Sequence, residues 1–217
     1  MFPISCLQLK IRLLDDDAPA GYWGSRLRGG YGAVLKEHLC DHRELDDCRV
    51  CPRFGECEYP QLFEPVRTPE AAKGAEAPLK NQTSLPRPFV IDLPRHFSAQ
   101  QLQTKQLQFG FTLMGALCQG IEYPVTAFSI FGQRGIVVGD GGGKRARFLV
   151  EDALDALDGG RSIFSGGSGG APFKPAVVRD IREIAARQQW PEPFRHAVPP
   201  EIEVRFLTPV KIESGQV

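Results

Sequence analysis

Four of the six cysteines fall between residues 40 and 57, at Cys40, Cys48, Cys51 and Cys57, in the spacing C-x7-C-x2-C-x5-C. A C-x-x-C pair places two thiolates on one metal through a tight turn, and two further thiolates nearby complete a tetrahedral site. His38 and His42 flank Cys40 and could replace a ligand. Four thiolates suit zinc and an iron–sulfur cluster alike, so the spacing leaves the metal open. Four cysteines leave no open ligand position, so the site expected is a structural knuckle rather than a catalytic centre. The plain alternative is four free thiols in a loop. Cys6 and Cys118 sit in apolar stretches and read as small buried hydrophobes.

Two more groups of residues could do chemistry. In GQRGIVVGDGGGKRAR, residues 132–147, glycines let a ligand approach the backbone while Arg134, Lys144, Arg145 and Arg147 supply positive charge. Successive N–H groups in such a loop can cradle phosphate oxygens, although no Gly-Lys-Ser/Thr of a Walker loop is present. An exposed hairpin explains the same residues. Around the first helix lie Tyr22, Trp23, Arg26, Arg28, Tyr31, Lys36, His38 and His42. Metal-free RNA cleavage needs a base for a 2′-OH, a donor for the leaving oxygen and cations for the phosphate, roles that His, Tyr and Lys can fill. Tyr31 and His38 also fall near the helix's apolar face, where a core role is the simpler reading.

These groups need elements to hold them. Residues 4–14 alternate, with Leu7, Leu9, Ile11 and Leu13 on one side, and predict a strand. Ser25 could cap a helix running to about Leu39, with Leu27, Tyr31, Val34, Leu35 and His38 at helical spacing. Gly29, Gly30 and Gly32 weaken that helix or mark the close approach of another backbone. Residues 40–84 read as a long excursion with little regular structure. A short strand is expected at Phe89–Leu93, and a clear one at Lys105–Leu113. From Met114 to Phe131 the period is helical, with a kink or end expected at Pro124. A strand in RFLVEDAL completes the order β-α-β-β-α-β, the ferredoxin-like arrangement of an α+β fold. A hairpin strand at Ser162–Phe164, a helix at about Ala176–Gln189 and a strand in EIEVRFLTPVKIE follow.

Lys plus Arg and Asp plus Glu number 26 each, so the formal net charge is zero. A globally basic nucleic-acid binder is excluded, and any such site must come from local clustering. No apolar run is long enough to span a bilayer, and the N-terminus does not read as a signal peptide, so the expected location is the cytoplasm, away from membranes.

The order of these motifs carries a resemblance. RLRGGYGAVLKEHLC, then C-x-x-C, CEY and LFEP, resembles the N-terminal half of the CRISPR-associated repeat-processing endoribonucleases of the RAMP superfamily. RPFVIDLP, LQFGFTLMG, YPVTAF, FGQRGIVVGDGGGKRARFLV and VRFLTPVKI follow in collinear order. The last looks like the strand that opens that family's second ferredoxin-like domain.

The resemblance implies two tandem ferredoxin-like domains that bind the repeat hairpin of a CRISPR precursor transcript. Such enzymes cut without a catalytic cofactor, by 2′-OH attack, leaving a 2′,3′-cyclic phosphate, and the guide RNA passes to an interference complex. It points to His38 as the catalytic acid/base, with Tyr31 two turns earlier, and the basic residues read above, Arg26, Arg28, Arg134, Lys144, Arg145 and Arg147, are then the expected RNA contacts. Zinc or an iron–sulfur cluster at the four cysteines would be structural. Two other readings are a non-catalytic RAMP-type RNA-binding subunit and a metal-binding interaction module without RNA function. The expected organisation is a ferredoxin-like domain over 1–158 with a Cys-rich insertion at about 40–84. A connecting hairpin and helix over 159–199 follows, and residues 200–217 begin a truncated second domain.

Overall fold

The computed structural model describes residues 2–17, 22–66, 85–94, 97–139, 143–166 and 173–187. The strand expected within 201–213 lies outside them.

Strand β1 (Pro3–Leu13) runs through the middle of an antiparallel sheet. Its alternation buries Leu7, Leu9, Ile11 and Leu13 and leaves Lys10 and Arg12 exposed on the other face. On one side it pairs with β3 (Gln106–Met114), Leu9 opposite Phe109. On the other it pairs with β6 (Phe148–Asp155), where the register shifts between Lys10 and Ile11. A short β2 (Phe89–Asp92) pairs antiparallel with β3, so four strands lie in the order β2-β3-β1-β6.

Two long helices bridge these strands. Helix α1 (Gly24–Leu39) follows β1 and buries Leu27, Tyr31, Val34 and Leu35. It starts one residue before Ser25, with Trp23 at the cap position and no side chain capping its N-terminus. The short α2 (Glu58–Phe63), which the sequence pattern did not predict, returns the chain towards α1. Beyond β2, α3 (Ala99–Thr104) opens on a capping box between Ser98 and Gln101, 3.1 and 2.9 Å.

The helix expected from Met114 is two pieces, a 3₁₀ turn (Gly115–Gln119) and then α4 (Glu122–Arg134). Pro124 lies in the first turn of α4, where its missing N–H has no intrahelical partner to lose, so it does not kink the helix. Both long helices cover the same sheet face. Tyr31 of α1 meets Phe111 of β3, and Phe128 of α4 meets Phe109 and Phe111. Each fully buried Leu or Phe in this cluster contributes about 1.5–3 kcal/mol.

After α4, Gly135 turns the chain at φ +81 and leads into the hairpin β4 (Ile136–Val138) and β5 (Lys144–Ala146). Past β6, β7 (Arg161–Ser165) joins the edge of the main sheet beside β6. The segment read as a connector from 159 on is therefore built into the same sheet. The buried Asp155 holds this corner, accepting from the N–H groups of Leu157 (2.9 Å) and Val177 (2.6 Å). A two-residue β8 (Arg179–Asp180) pairs with Pro3 and Ile4, and α5 (Ile181–Arg187) follows. That helix begins later than the expected Ala176, because residues 177–180 are extended against Asp155 and β1.

Candidate functional site

Helix α1 carries candidate groups at both ends, and its rise of about 1.5 Å per residue sets them roughly 15 Å apart between Arg28 and His38. At the N-terminal end a surface cleft of about 480 Å3 is lined by Tyr22, Ser25, Arg28, Arg87 and the start of β2. Arg87 donates from Nε to the Phe63 carbonyl at 2.9 Å, and its guanidinium lies 5.9 Å from the Phe63 ring centroid. The sequence reading missed Arg87, whose signal was the basic residue just before the PFVID strand.

At the C-terminal end His38 is exposed and lines a groove of about 310 Å3 with Val34, Leu39, Glu122, Tyr123 and Ile130. Its Nδ1 lies 3.1 Å from the Val34 carbonyl oxygen. That oxygen can only accept, so Nδ1 carries the hydrogen and a neutral ring keeps the Nε2 lone pair free. Such a group can take a proton at Nε2 and return it.

Tyr31 does not share this surface. Fully buried, it is ringed by Phe63, Phe89, Phe111 and Phe128, with centroids 5.1 to 5.5 Å away. Burial alone pushes its phenol far up, and the hydroxyl has no hydrogen-bond partner among the described residues. The expected catalytic role of Tyr31 is thus corrected to a core role, because a side chain sealed from solvent cannot meet an RNA phosphate.

Arg134, Lys144 and Arg147, three of the six basic candidates, are paired with carboxylates. Arg134 forks onto Glu37 at 2.5 and 3.0 Å and holds the Glu37 carboxyl below its usual range. Arg147 grips Asp15 with two guanidinium contacts and its own backbone N–H, the last at 2.7 Å, and holds that carboxyl down to about 2. Lys144 reaches Asp17 at 2.5 Å, and Arg145 donates to the Gly135 carbonyl at 3.2 Å. The described part of the expected phosphate loop is a hairpin in which Lys144 pairs with Asp17 after β1 and Arg145 bonds back to Gly135 at the end of α4. The apex, residues 140–142, lies outside the described residues. Arg28 stays on the exposed surface at the first cleft, and Arg26 lies partly buried in the first turn of α1.

The four clustered cysteines come from three element ends. Cys40 terminates α1, its N–H donating to Lys36 at 2.9 Å. Cys48 and Cys51 bracket a 3₁₀ turn, closed by the Cys51 N–H to the Cys48 carbonyl at 3.0 Å. Asp47 caps that turn through the Arg49 N–H at 2.9 Å. Cys57 stands at the start of α2. All four line one cavity of about 20 Å3 together with His42, Leu45, Phe54, Tyr59 and Pro60. None is in a disulfide, and burial pushes the Cys48 and Cys57 thiols up. As the side chains stand, no group of three or more His, Cys, Asp and Glu among the described residues is gathered closely enough to hold a metal ion.

A family model described as an N-terminal domain, AF_1859_N, matches residues 2–177. The chain belongs to that family. The AF_1859_N match takes in the sheet from β1 to β7, both long helices and the cysteine cavity, and stops just before β8. No curated protein and no solved structure matches the chain. Among the described residues of this AF_1859_N chain, no helix is long and apolar enough to cross a membrane.

Proposed function

We propose that this chain is the RNA-binding part of a CRISPR repeat-processing endoribonuclease, with a ferredoxin-like domain that presents His38 at the cleavage site. The observation that carries the reading is the strand order β2-β3-β1-β6, antiparallel at every neighbour. α1 lies between β1 and β2 in sequence and α4 between β3 and β6, and both pack on one face. A βαββαβ chain of ferredoxin-like type produces that order. Of the motifs quoted for the resemblance, RLRGGYGAVLKEHLC falls on α1, RPFVIDLP on β2, LQFGFTLMG on β3 and YPVTAF on α4, in that order, while VRFLTPVKI lies outside the described residues.

In the proposed reaction His38 takes the proton of a 2′-OH at Nε2, while the Val34 carbonyl fixes the ring through Nδ1. The deprotonated oxygen attacks the adjacent phosphorus, the 5′-oxygen leaves taking a proton from solvent, His38 releases its own proton to solvent, and a 2′,3′-cyclic phosphate remains. Attack and departure occur within the RNA, so the catalytic step calls for no metal. Arg28 and Arg87, at the far end of α1, face a different stretch of the bound RNA, since roughly 15 Å separates Arg28 from His38 along the axis. Arg134, Lys144 and Arg147 are already paired with Glu37, Asp17 and Asp15 and add little to phosphate binding.

The test is a gel assay of the purified chain with end-labelled CRISPR repeat RNA from the same genome, with no divalent cation added. One discrete cut ending in a cyclic phosphate is expected. Binding without any cut would reject the nuclease and leave the RNA-holding subunit. An absence of binding at about 0.1 M salt, where phosphate contacts still register, would reject both.

A further inference from the structure

We propose that Cys40, Cys48, Cys51 and Cys57 hold a single zinc ion that clamps the end of α1 to the start of α2. Four thiols from three element ends line one cavity of about 20 Å3, and four thiolates make the full tetrahedral set of a structural zinc ion. The wall around them is otherwise Leu45, Phe54, Tyr59 and Pro60, an apolar shell of the kind that keeps water off a thiolate site. His42 also reaches the cavity, but its Nδ1 is engaged by Glu44 at 3.2 Å, and the four sulfurs complete a tetrahedron without it.

Apart from surface contacts such as the Arg53–Asp41 ion pair and the Arg43 bond to the Glu37 carbonyl, the segment that carries the cysteines has little burial to hold its shape. Of residues 40–57 only Cys48 is buried, and the rest are exposed or partly so. Tight turns close it locally, through Phe54 N–H to the Cys51 carbonyl at 3.0 Å and Cys57 N–H to Arg53 at 2.9 Å. Such turns do not offset the entropy of ordering so long a stretch, whereas ligation of a metal does. On binding, the thiols release their protons to solvent and the ion exchanges water for four thiolates. Rotation about the Cys side-chain torsions then brings the sulfurs in from the cavity wall to about 2.3 Å from the metal. With every position filled by protein, the ion binds no substrate and serves only to fix the fold.

The experiment uses the full chain, purified without chelator, and measures its zinc, iron and acid-labile sulfide. One zinc per chain is expected. After zinc removal, added cobalt should give the intense near-ultraviolet band of thiolate-to-cobalt charge transfer. That band should be lost in Cys51→Ser and Cys57→Ser and kept in Cys6→Ser and His42→Ala. Because a ligand variant can simply unfold, thiol labelling of the unmodified chain gives a second readout: four cysteines should be protected with zinc and reactive once it is chelated. Iron with acid-labile sulfide would overturn the single-ion site. So would a chain without metal that shows no cobalt band, or labelling that ignores the chelator.

Discussion

The ring of Tyr31 lies flat on that of Phe128, 5.1 Å between centroids and 14° between planes, and so joins the two helices at the centre of the core. Its hydroxyl is sealed in that stack without a partner among the described residues. An unpaired buried polar group costs about 1–3 kcal/mol. Tyr31→Phe should therefore keep or raise the denaturation midpoint and leave the proposed RNA cleavage unchanged. Tyr31→Ala should destabilise by about 3–5 kcal/mol through the cavity it opens. Urea titration of both variants checks this, and a Tyr31→Phe chain that is stable but does not cut would return the phenol to the chemistry.

His38 stands on the exposed last turn of the same helix, where its removal costs little packing. On the proposed function, His38→Ala should lower the rate of repeat-RNA cleavage by about 10²–10⁴-fold while the affinity for that RNA stays within a few-fold. Single-turnover rates beside a filter-binding curve separate the two effects. Equal loss of both would make His38 a binding residue instead.

Asp15 gives the fold an acid-sensitive fastening. Hydrogen bonds from the Arg147 side chain and backbone hold its carboxyl at about 2, below an ordinary value of 3.8. A depressed carboxylate contributes stability above its unfolded pKa, and that contribution is lost as pH falls through the folded one. The chain should thus weaken as pH drops from about 4 to about 2, and Asp15→Asn should show a shallower decline across that window. Thermal melts of the two proteins at matched ionic strength provide the comparison.

Two glycines separate helix propensity from helix contact. A Cβ at Gly132 would sit 2.2 Å from the Phe148 carbonyl oxygen, so α4 can approach β6 only without one. Gly132→Ala should destabilise by about 1–3 kcal/mol. Gly29 on α1 has open space where its Cβ would be, and Gly29→Ala should stabilise by about 0.5–1 kcal/mol. Opposite shifts in denaturant midpoint are expected, and shifts of the same sign would contradict the packing of α4 on β6.

The sheet was largely legible because its signal is local. The alternation of Leu7, Leu9, Ile11 and Leu13, and of Leu107, Phe109, Phe111 and Leu113, marks the buried faces of β1 and β3 directly. The clustering of the cysteines likewise carries over to one cavity wall. Tyr31 and His38 show where such reading stops. Helical spacing places both on the apolar side of α1, yet one is sealed in the core and the other exposed. Periodicity fixes the direction a side chain points, not whether neighbours reach that level of the axis. The pairing of Arg147 with Asp15 and of Arg134 with Glu37 joins residues far apart in the chain, so these charges look free in sequence. The glycines of α1 offer a weakened helix or the close approach of another backbone; the close neighbours are instead side chains, the ring of Phe131 at Gly30 and that of Phe63 at Gly32, and Gly29 has open space.

The small β8 bridge also fixes an order of events. Phe2 donates its N–H to Asp180 at 3.1 Å and accepts from the Ile181 N–H at 3.0 Å, across almost the whole described chain. Loop closure over that span is favourable only once the intervening strands are in place, so this stitch forms late in folding. A dye pair at residues 2 and 182 would then act as a completion signal: dark through the assembly of the sheet, and bright only when the molecule has closed.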